Sequence, residues 1–460
     1  MSTIASTMIL VRRSMDRAFV TKLVLIALPI TLQNMMFSSR SLVDVVMLGQ
    51  LGENEVAAMG IAARAAFVAT IMLVGITTAG SMLTAQHWGA GDESGVRRST
   101  ALTWLIATLC AIGTVGIFIL FPSQIIGFAT DSAEVVALGS EYLQYAAFSM
   151  LGVACVASMA VGLRSVHQPG VSAFFSCIGI VVNVTLNWLL IFGHYGFPRL
   201  GIVGAALATT ISSAIEVVCL FSYLHLKRHL LAFSIQDLLQ VINRDQIQQF
   251  FSLSLPTTLN YFVWSAGLYA YQAIMGQTGL EGLAALAVMV PIESMALALA
   301  IGLSMAGSVL VGNELGAQRY ENVYFFAWGI IVINIVVSVV VALCVYFASD
   351  VILGAFSALT GPTKELAEQF ILVMCVGLVL RSLPMMATVG VLRAGGDVKY
   401  CLYQDLTTQW GIGIPCAALG AIWLGWSPVW VYTLFLVEEV IKWVGCVWRI
   451  RGKKWVKHLL

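Results

Sequence analysis

Acidic residues deep in the apolar segments of this 460-residue chain are few, and Asp44 is the first of them. An ionisable side chain inside a membrane is costly, so it is a functional candidate by default. Asp44 lies about four helical turns after Pro29, and a proline frees a backbone carbonyl and lets a helix bend. A carboxylate beside such a hinge can couple its protonation state to the shape of the helix.

Arg40 lies one turn before Asp44 and offers a structural alternative. Residues four apart share one helix face, so the two side chains could form a simple ion pair. A close guanidinium would also oppose protonation of the carboxylate, so Arg40 would modulate its charge. The sequence leaves open whether the two side chains meet.

Two asparagines, Asn183 and Asn187, occupy the fifth predicted helix in the sequence Asn-Val-Thr-Leu-Asn-Trp. Their spacing places both on one face. Two amides can donate hydrogen bonds to a carboxylate or coordinate a small cation. Intramembrane asparagines also serve as plain hydrogen bonds between helices, which is the alternative.

Apolar and aromatic residues of the first and seventh predicted helices could line a substrate cavity. Methionine adapts to varied shapes, and aromatic faces attract cations. The candidates are Met35, Met36, Phe37, Tyr261, Phe262, Trp264 and Tyr271. At helical spacing in a membrane bundle, such residues more often pack against neighbours or face lipid.

Other charged residues in apolar segments have simpler interpretations. Glu293 could line the same cavity, but membrane charges usually pair, so it could instead be the partner of Arg64 or Arg381. Glu438 and Lys442 are four residues apart and predict a local ion pair. Three more acidic residues lie nearer predicted helix ends or lobe interiors, where solvent or a partner can satisfy them: Glu141, Glu216 and Asp405.

The composition is that of a polytopic membrane protein. Hydrophobic residues make up 59% of the chain, charged residues 10%, and the mean hydropathy is +0.91, which excludes an ordinary soluble domain. Twelve segments reach the roughly 20 residues that a membrane helix needs. They lie near 21–49, 54–86, 99–121, 133–163, 171–193, 202–226, 247–276, 282–312, 321–348, 366–392, 399–424 and 428–449.

Identities at a fixed offset of 227 residues divide the chain into two copies of one unit. Among them, Pro29, Thr31, Leu32, Gly75, Ala79 and Gly80 recur as Pro256, Thr258, Leu259, Gly302, Ala306 and Gly307. Duplication of a membrane unit is typical of transporters whose substrate path lies between two halves.

The lysines and arginines support the count of twelve, because cytoplasmic loops retain positive charge. With both termini in the cytoplasm, most of the 24 lie on the cytoplasmic side, including Arg12 and Arg13, and only Arg199 and Lys364 lie outside. The rest lie inside apolar segments: Arg40, Arg64, Arg381 and Lys442.

The predicted fold is an all-α membrane protein with twelve transmembrane helices in two six-helix lobes, related by a pseudo-two-fold axis along the membrane normal. The N-lobe would be 1–226, and the C-lobe 247–460 with a basic cytoplasmic tail. Between them, 227–246 mixes apolar and polar residues and would lie on the cytoplasmic membrane surface as an amphipathic linker.

Several kinds of chemistry find no support in the sequence. The chain has no G-x-x-x-x-G-K-[ST] loop for ATP, and its six histidines do not cluster at metal-ligand spacing. Its nine cysteines form no C-x-x-C pair. We therefore expect no cofactor, no metal and no nucleic acid partner.

Several motifs together resemble a known family. They are Leu-Val-Asp44 with Gly49 and Gly52, the pair Asn183 and Asn187 before Trp188, the run 201–209, and Leu-Arg turns at Arg164 and Arg393. With the repeat and topology, they resemble the multidrug and toxic compound extrusion (MATE) family over essentially the whole chain. The resemblance implies that Asp44 binds the coupling cation. Its hydrogen-bond shell would be Asn183, Asn187 and Thr209.

The C-lobe departs from the family pattern. Sodium-coupled members place a glutamate in the seventh helix and an aspartate in the tenth, whereas this chain has Trp264 and Ser382 there. The repeat counterpart of Asp44 is Tyr271, which does not ionise near neutral pH. Coupling would therefore rest on the N-lobe and favour protons over sodium.

The resemblance implies a secondary active multidrug exporter, not an enzyme, that exchanges amphipathic, cationic compounds for protons across the cell (inner) membrane. We expect a monomer in the lipid bilayer.

The alternative is a lipid-linked precursor flippase of the same superfamily. Such a protein would need several cationic residues in its cavity, and Arg40, Arg64 and Arg381 are candidates for them. An intramembrane enzyme would need a catalytic dyad or metal cluster at membrane depth, and the scattered histidines argue against one.

Overall fold

The computed structural model describes residues 17–48, 50–130, 132–354 and 361–459, and within these ranges it is helical without any strand. The first half contains α1 (Arg17–Leu48), α2 (Glu53–Gly89), α3 (Glu93–Leu120), α4 (Pro122–Gly127), α5 (Ala133–Ala146), α6 (Ser149–Ser165), α7 (Pro169–Phe192), α8 (Gly201–Leu226) and α9 (Ile235–Gln240).

The second half contains α10 (Arg244–Gln277), α11 (Leu280–Gly316), α12 (Tyr320–Phe347), α13 (Ser349–Gly354), α14 (Gly361–Met385), α15 (Val398–Asp405), α16 (Ile414–Ala418), α17 (Pro428–Leu434) and α18 (Val437–Arg451). Wider π-helical turns at Met386–Leu392, Leu406–Gly413 and Leu419–Trp423 continue α14, α15 and α16. Proline lacks the amide hydrogen of a regular turn, and Pro384 and Pro415 adjoin the first two of these turns.

All twelve predicted segments fall on helical structure. Among the described residues, eight helices are individually long and apolar enough to cross a membrane, and α5 with α6 forms a ninth span bent by 45°. The other three predicted spans are α10 and two stretches assembled from shorter helices, 398–423 and 428–451. Gly49, Arg12 and Arg13 lie outside the described residues.

Two compact units make up the described chain. The N-terminal unit is Leu32–Thr258, and the C-terminal unit combines the described part of Met1–Thr31 with Leu259–Leu460. The division falls inside α1 and α10. The first turns of α1 pack in the C-terminal unit, where Phe19 stacks on Phe326 with ring centroids 4.4 Å apart. The lobe boundaries at 226 and 247 stay a prediction.

The linker folds onto the N-terminal unit. The Ser234 hydroxyl accepts from the Asp237 amide at 3.3 Å, and the Asp237 carboxylate accepts from the Ser234 amide at 2.7 Å, which forms a capping box for α9. The bond from the Ser234 amide holds the pKa of Asp237 below its usual value. Phe233 packs against Trp104 of α3 with ring centroids 5.5 Å apart.

A close helix crossing between a glycine and a threonine occurs at equivalent repeat positions in the two units. Gly75 of α2 lies against Thr258 of α10 in the N-terminal unit, and Gly302 of α11 lies against Thr31 of α1 in the C-terminal unit. Each residue is 227 positions from its counterpart, so the two crossings are equivalent in the repeat. Small residues permit such close approach of membrane helices.

Gly302→Ala should destabilise the protein, because the new methyl group overlaps the Thr31 hydroxyl and overpacking costs about 1–3 kcal/mol. Thr31→Ala should restore stability, since the Thr31 Cβ lies 3.1 Å from that methyl position. Thr258→Ala should not rescue Gly75→Ala, because the main-chain Cα of Thr258 itself lies 2.7 Å from the new methyl. Thermal unfolding of the purified variants in detergent measures these differences.

Gly60→Ala is the matched control on α2, since no neighbouring side chain lies within 4 Å of its added methyl group. Its unfolding temperature should stay close to that of the wild type. Equal rescue at the two crossings would show that their packing is not as described.

Candidate functional site

Asp44 is buried in the N-terminal unit near the end of α1, with 7% of its surface exposed. The side-chain amide of Asn187 on α7 donates to the Asp44 carboxylate at 2.5 Å. Asn187 is itself fully buried. The predicted contact between Asp44 and the asparagine pair is therefore present.

The other predicted members of the site continue from Asn187. Its amide nitrogen lies 3.4 Å from the Asn183 side-chain oxygen, one turn earlier on α7. The Asn183 amide in turn donates to the Thr209 hydroxyl of α8 at 3.3 Å. Three helices thus bring Asp44, Asn187, Asn183 and Thr209 into one hydrogen-bonded group, as predicted.

The side-chain oxygen of Asn187 is buried and accepts no hydrogen bond within the described part of the chain. A buried polar atom without a partner is costly and needs a physical reason. This oxygen belongs to the amide group that holds Asp44. The carboxylate and the amide oxygen together can accept a proton or a small cation.

Arg40 does not form the simple ion pair with Asp44 that their spacing allowed. Over the residues that the structure describes, its guanidinium instead donates to Ser212 of α8 at 3.4 Å. It remains within electrostatic reach of Asp44 and of Glu216. Arg40 can therefore act on the site through its field without occupying the carboxylate.

Glu216 is a second buried carboxylate of this unit, with 4% of its surface exposed. Ser176 of α7 donates to it at 2.7 Å, and Gln33 of α1 donates to the Ser176 hydroxyl at 2.9 Å. A side chain at Gly179 would lie 2.6 Å from the Glu216 carboxylate, so this glycine provides its space. Glu216 is satisfied in the interior, as the sequence indicated.

The predicted cavity residues occupy different surroundings. Met35, Phe37 and Trp264 are exposed, whereas the Tyr261 ring lies 4.4 Å from the Arg393 guanidinium. Their lining of a substrate cavity stays a prediction.

Two other predicted cavity residues bind charged partners. Tyr271 is buried and donates to Glu438 at 2.8 Å. Glu293 pairs with Arg381, which confirms one of its two predicted partners. The predicted pair of Glu438 and Lys442 is also present, at 3.5 Å. The role of Glu293 in a cavity stays a prediction.

A comparison with protein families matches both halves of the chain. The family model described as MatE matches residues 29–189 and 256–419. The two matches begin 227 residues apart, at the offset of the internal repeat. The repeat is therefore a duplication of the family's own unit.

Similar proteins with descriptive names are found in several bacteria. "Probable multidrug resistance protein NorM" of Rhizobium meliloti (strain 1021) is 27% identical over 405 residues, covering 86% of this chain and 85% of that protein. "Probable multidrug resistance protein YoeA" of Bacillus subtilis (strain 168) is 23% identical over 425 residues, covering 90% and 91%.

Solved structures show the same fold. An outward-facing multidrug resistance MATE family transporter superposes with a TM-score of 0.86 at 17% identity, covering 94% of this chain and 96% of that one. The Vibrio cholerae MATE transporter VcmN in the bent form superposes with a TM-score of 0.85 at 19% identity, covering 98% and 100%. Because the family model matches both halves of the chain, this protein belongs to the MatE (MATE) family.

Proposed function

We propose that this protein is a secondary active multidrug exporter that exchanges amphipathic, cationic compounds for protons. The observation that carries the proposal is the buried Asp44 carboxylate, held by the Asn187 amide, whose oxygen has no hydrogen-bond partner among the described residues. The names of the relatives from Rhizobium meliloti and Bacillus subtilis support multidrug substrates. MATE proteins are transporters, so this member of the family is not an enzyme.

The C-terminal half favours protons over sodium as the coupling ion. At the two positions where sodium-coupled members carry acids, this chain has Trp264 and Ser382. The Ser382 hydroxyl is buried and donates to the Val379 main-chain oxygen at 2.6 Å. Neither residue can balance the charge of a sodium ion.

Protonation of Asp44 would start the export step. A neutral carboxyl loses the charge-assisted part of its bond with Asn187, so the end of α1 is held less tightly. Pro29 lies two residues before the point where α1 passes from one compact unit to the other. A bend of α1 at or beyond Pro29 would then shrink the cavity in the N-terminal half and expel the substrate.

The remaining features of the proposal follow the family and the charge pattern. The protein would act as a monomer in the inner membrane, with both termini in the cytoplasm and lobes at 1–226 and 247–460. Asn183 and Thr209 would complete the coupling site, and Met35, Phe37, Tyr261 and Trp264 would contact the substrate.

Asp44→Asn should abolish proton-driven efflux, because an amide keeps the shape and hydrogen bonds of the site but cannot cycle through a charged form. Efflux of a fluorescent cationic dye from proteoliposomes measures this. Glu216→Gln is the matched control, since it neutralises an equally buried carboxylate of the same unit, and it should retain coupled efflux. Full activity in Asp44→Asn would rule out the coupling site.

Transport by the wild type should follow an imposed pH gradient and persist without sodium, because the C-terminal half lacks the two sodium-coupling acids. Proteoliposomes with separately imposed proton and sodium gradients test this. Dye transport driven by sodium at equal pH on both sides would show that the coupling ion is wrongly assigned.

A further inference from the structure

A continuous network of polar contacts runs through the C-terminal unit. Asn260 donates to Asp405 at 2.7 Å, and the Lys442 ammonium lies 3.0 Å from the same carboxylate. Lys442 also pairs with Glu438 at 3.5 Å, and Tyr271 donates to Glu438 at 2.8 Å. At the other end, Arg393 donates to Asn260.

This network lies along α10, the seventh predicted membrane span. Asn260 and Tyr271 are eleven residues apart on α10, which corresponds to about 16 Å along a helix, or roughly half of a hydrocarbon core. Each residue of the network is at most 9% exposed. Its charges must therefore be balanced by the protein itself.

The charges of this network and of the ion pairs that adjoin it do not balance within the described residues. Arg381 pairs with Glu293 and, at 3.4 Å, with Glu439. The four carboxylates are Glu293, Asp405, Glu438 and Glu439, and the three cations are Arg381, Arg393 and Lys442. Glu293 and Arg381, each with 19% of the side chain exposed, neutralise each other, so the imbalance lies among the buried groups. One negative charge is in excess, and a buried charge that is only partly compensated is costly. A proton is the smallest ligand that removes it.

Glu438 and Glu439 are the least compensated of the four carboxylates, because the cation beside each of them lies closer to another carboxylate. Lys442 lies closer to Asp405 than to Glu438, 3.0 Å against 3.5 Å. Asp405 also accepts from Asn260, which is bound to Arg393. Glu438 and Glu439 adjoin each other as like charges, and Glu438 is the more deeply buried of the two, 3% exposed against 7%. The excess charge is therefore removed most favourably at Glu438.

The repeat places this carboxylate at the level of Asp44. Tyr271 is the counterpart of Asp44 at the offset of 227 residues, and its hydroxyl contacts Glu438. A side chain at Gly413 would lie 3.1 Å from the Glu438 carboxylate, so this glycine provides the space. In the C-terminal unit, the acid therefore lies beside the repeat counterpart of Asp44 on α10, but it belongs to α18.

Gln409 is a further buried polar side chain beside α10. Its side chain lies against Gly267, between Asn260 and Tyr271 along α10. Gln409 is fully buried, and its side-chain oxygen has no hydrogen-bond partner in the part of the chain that the structure describes. A water molecule or a shared proton can satisfy such an acceptor.

We propose that Glu438 is a second proton-binding site, in the C-terminal unit, where a proton from bulk water adds to the carboxylate beside the Tyr271 hydroxyl. This site does not depend on the role proposed for Asp44. The charged and titratable groups around it are Tyr271 on α10, Arg381 on α14, Asp405 on α15, and Glu439 and Lys442 on α18.

Infrared difference spectroscopy during a pH titration tests this directly. The full-length Asp44→Asn protein in lipid nanodiscs, without substrate, should show the carbonyl band of a protonated carboxyl that disappears as the pH rises. Addition of Glu438→Gln should remove the band. The amide oxygen of the new side chain can still accept the hydrogen bond from Tyr271, so the fold should be preserved. Thermal unfolding checks that preservation.

Two further variants test which carboxyl gives the band and whether the excess negative charge causes its protonation. Tyr271→Phe should keep the band but change its frequency, because one hydrogen bond to the carboxyl is lost. Glu439→Gln equalises the buried charges, so the band should be lost near neutral pH and return on acidification. A titrating band that persists in Glu438→Gln, or no such band in Asp44→Asn, would overturn the assignment.

Discussion

A carboxylate that leaves water for a membrane interior must find hydrogen-bond donors or a counter-charge, and this requirement organises both compact units. In the N-terminal unit, Asn187 holds Asp44 and Ser176 holds Glu216. In the C-terminal unit, Lys442 bridges two carboxylates. Gly179 leaves space for Glu216, and Gly413 leaves space for Glu438.

The duplication kept the packing of the ancestral unit and changed its chemistry. The crossings of Gly75 with Thr258 and of Gly302 with Thr31 occupy equivalent positions. At the level of Asp44, by contrast, the second copy has a tyrosine, and the acid comes from another helix. Packing requires small residues at fixed positions, whereas a buried acid can be supplied by any helix that reaches the same level.

The sequence predicted the twelve helical segments, because long apolar runs and the repeat fix them, and it predicted the contact of Asp44 with the asparagine pair. It did not predict that Arg40 turns to Ser212, or that Lys442 bridges to Asp405 as well as to Glu438. Long cationic side chains reach several partners, and tertiary packing decides among them. Only the structure shows that the Asn187 oxygen has no hydrogen-bond partner among the residues it describes.

The central claim is that substrate and proton are exchanged at Asp44. If protonation expels the substrate, then substrate binding must release a proton, because coupling between two ligands is reciprocal. The most direct measurement is the proton release on binding of a cationic dye to the purified protein in weakly buffered solution. The account predicts that the wild type releases protons on binding the dye, and that Asp44→Asn releases one proton fewer per bound dye. Equal release by both proteins would contradict it.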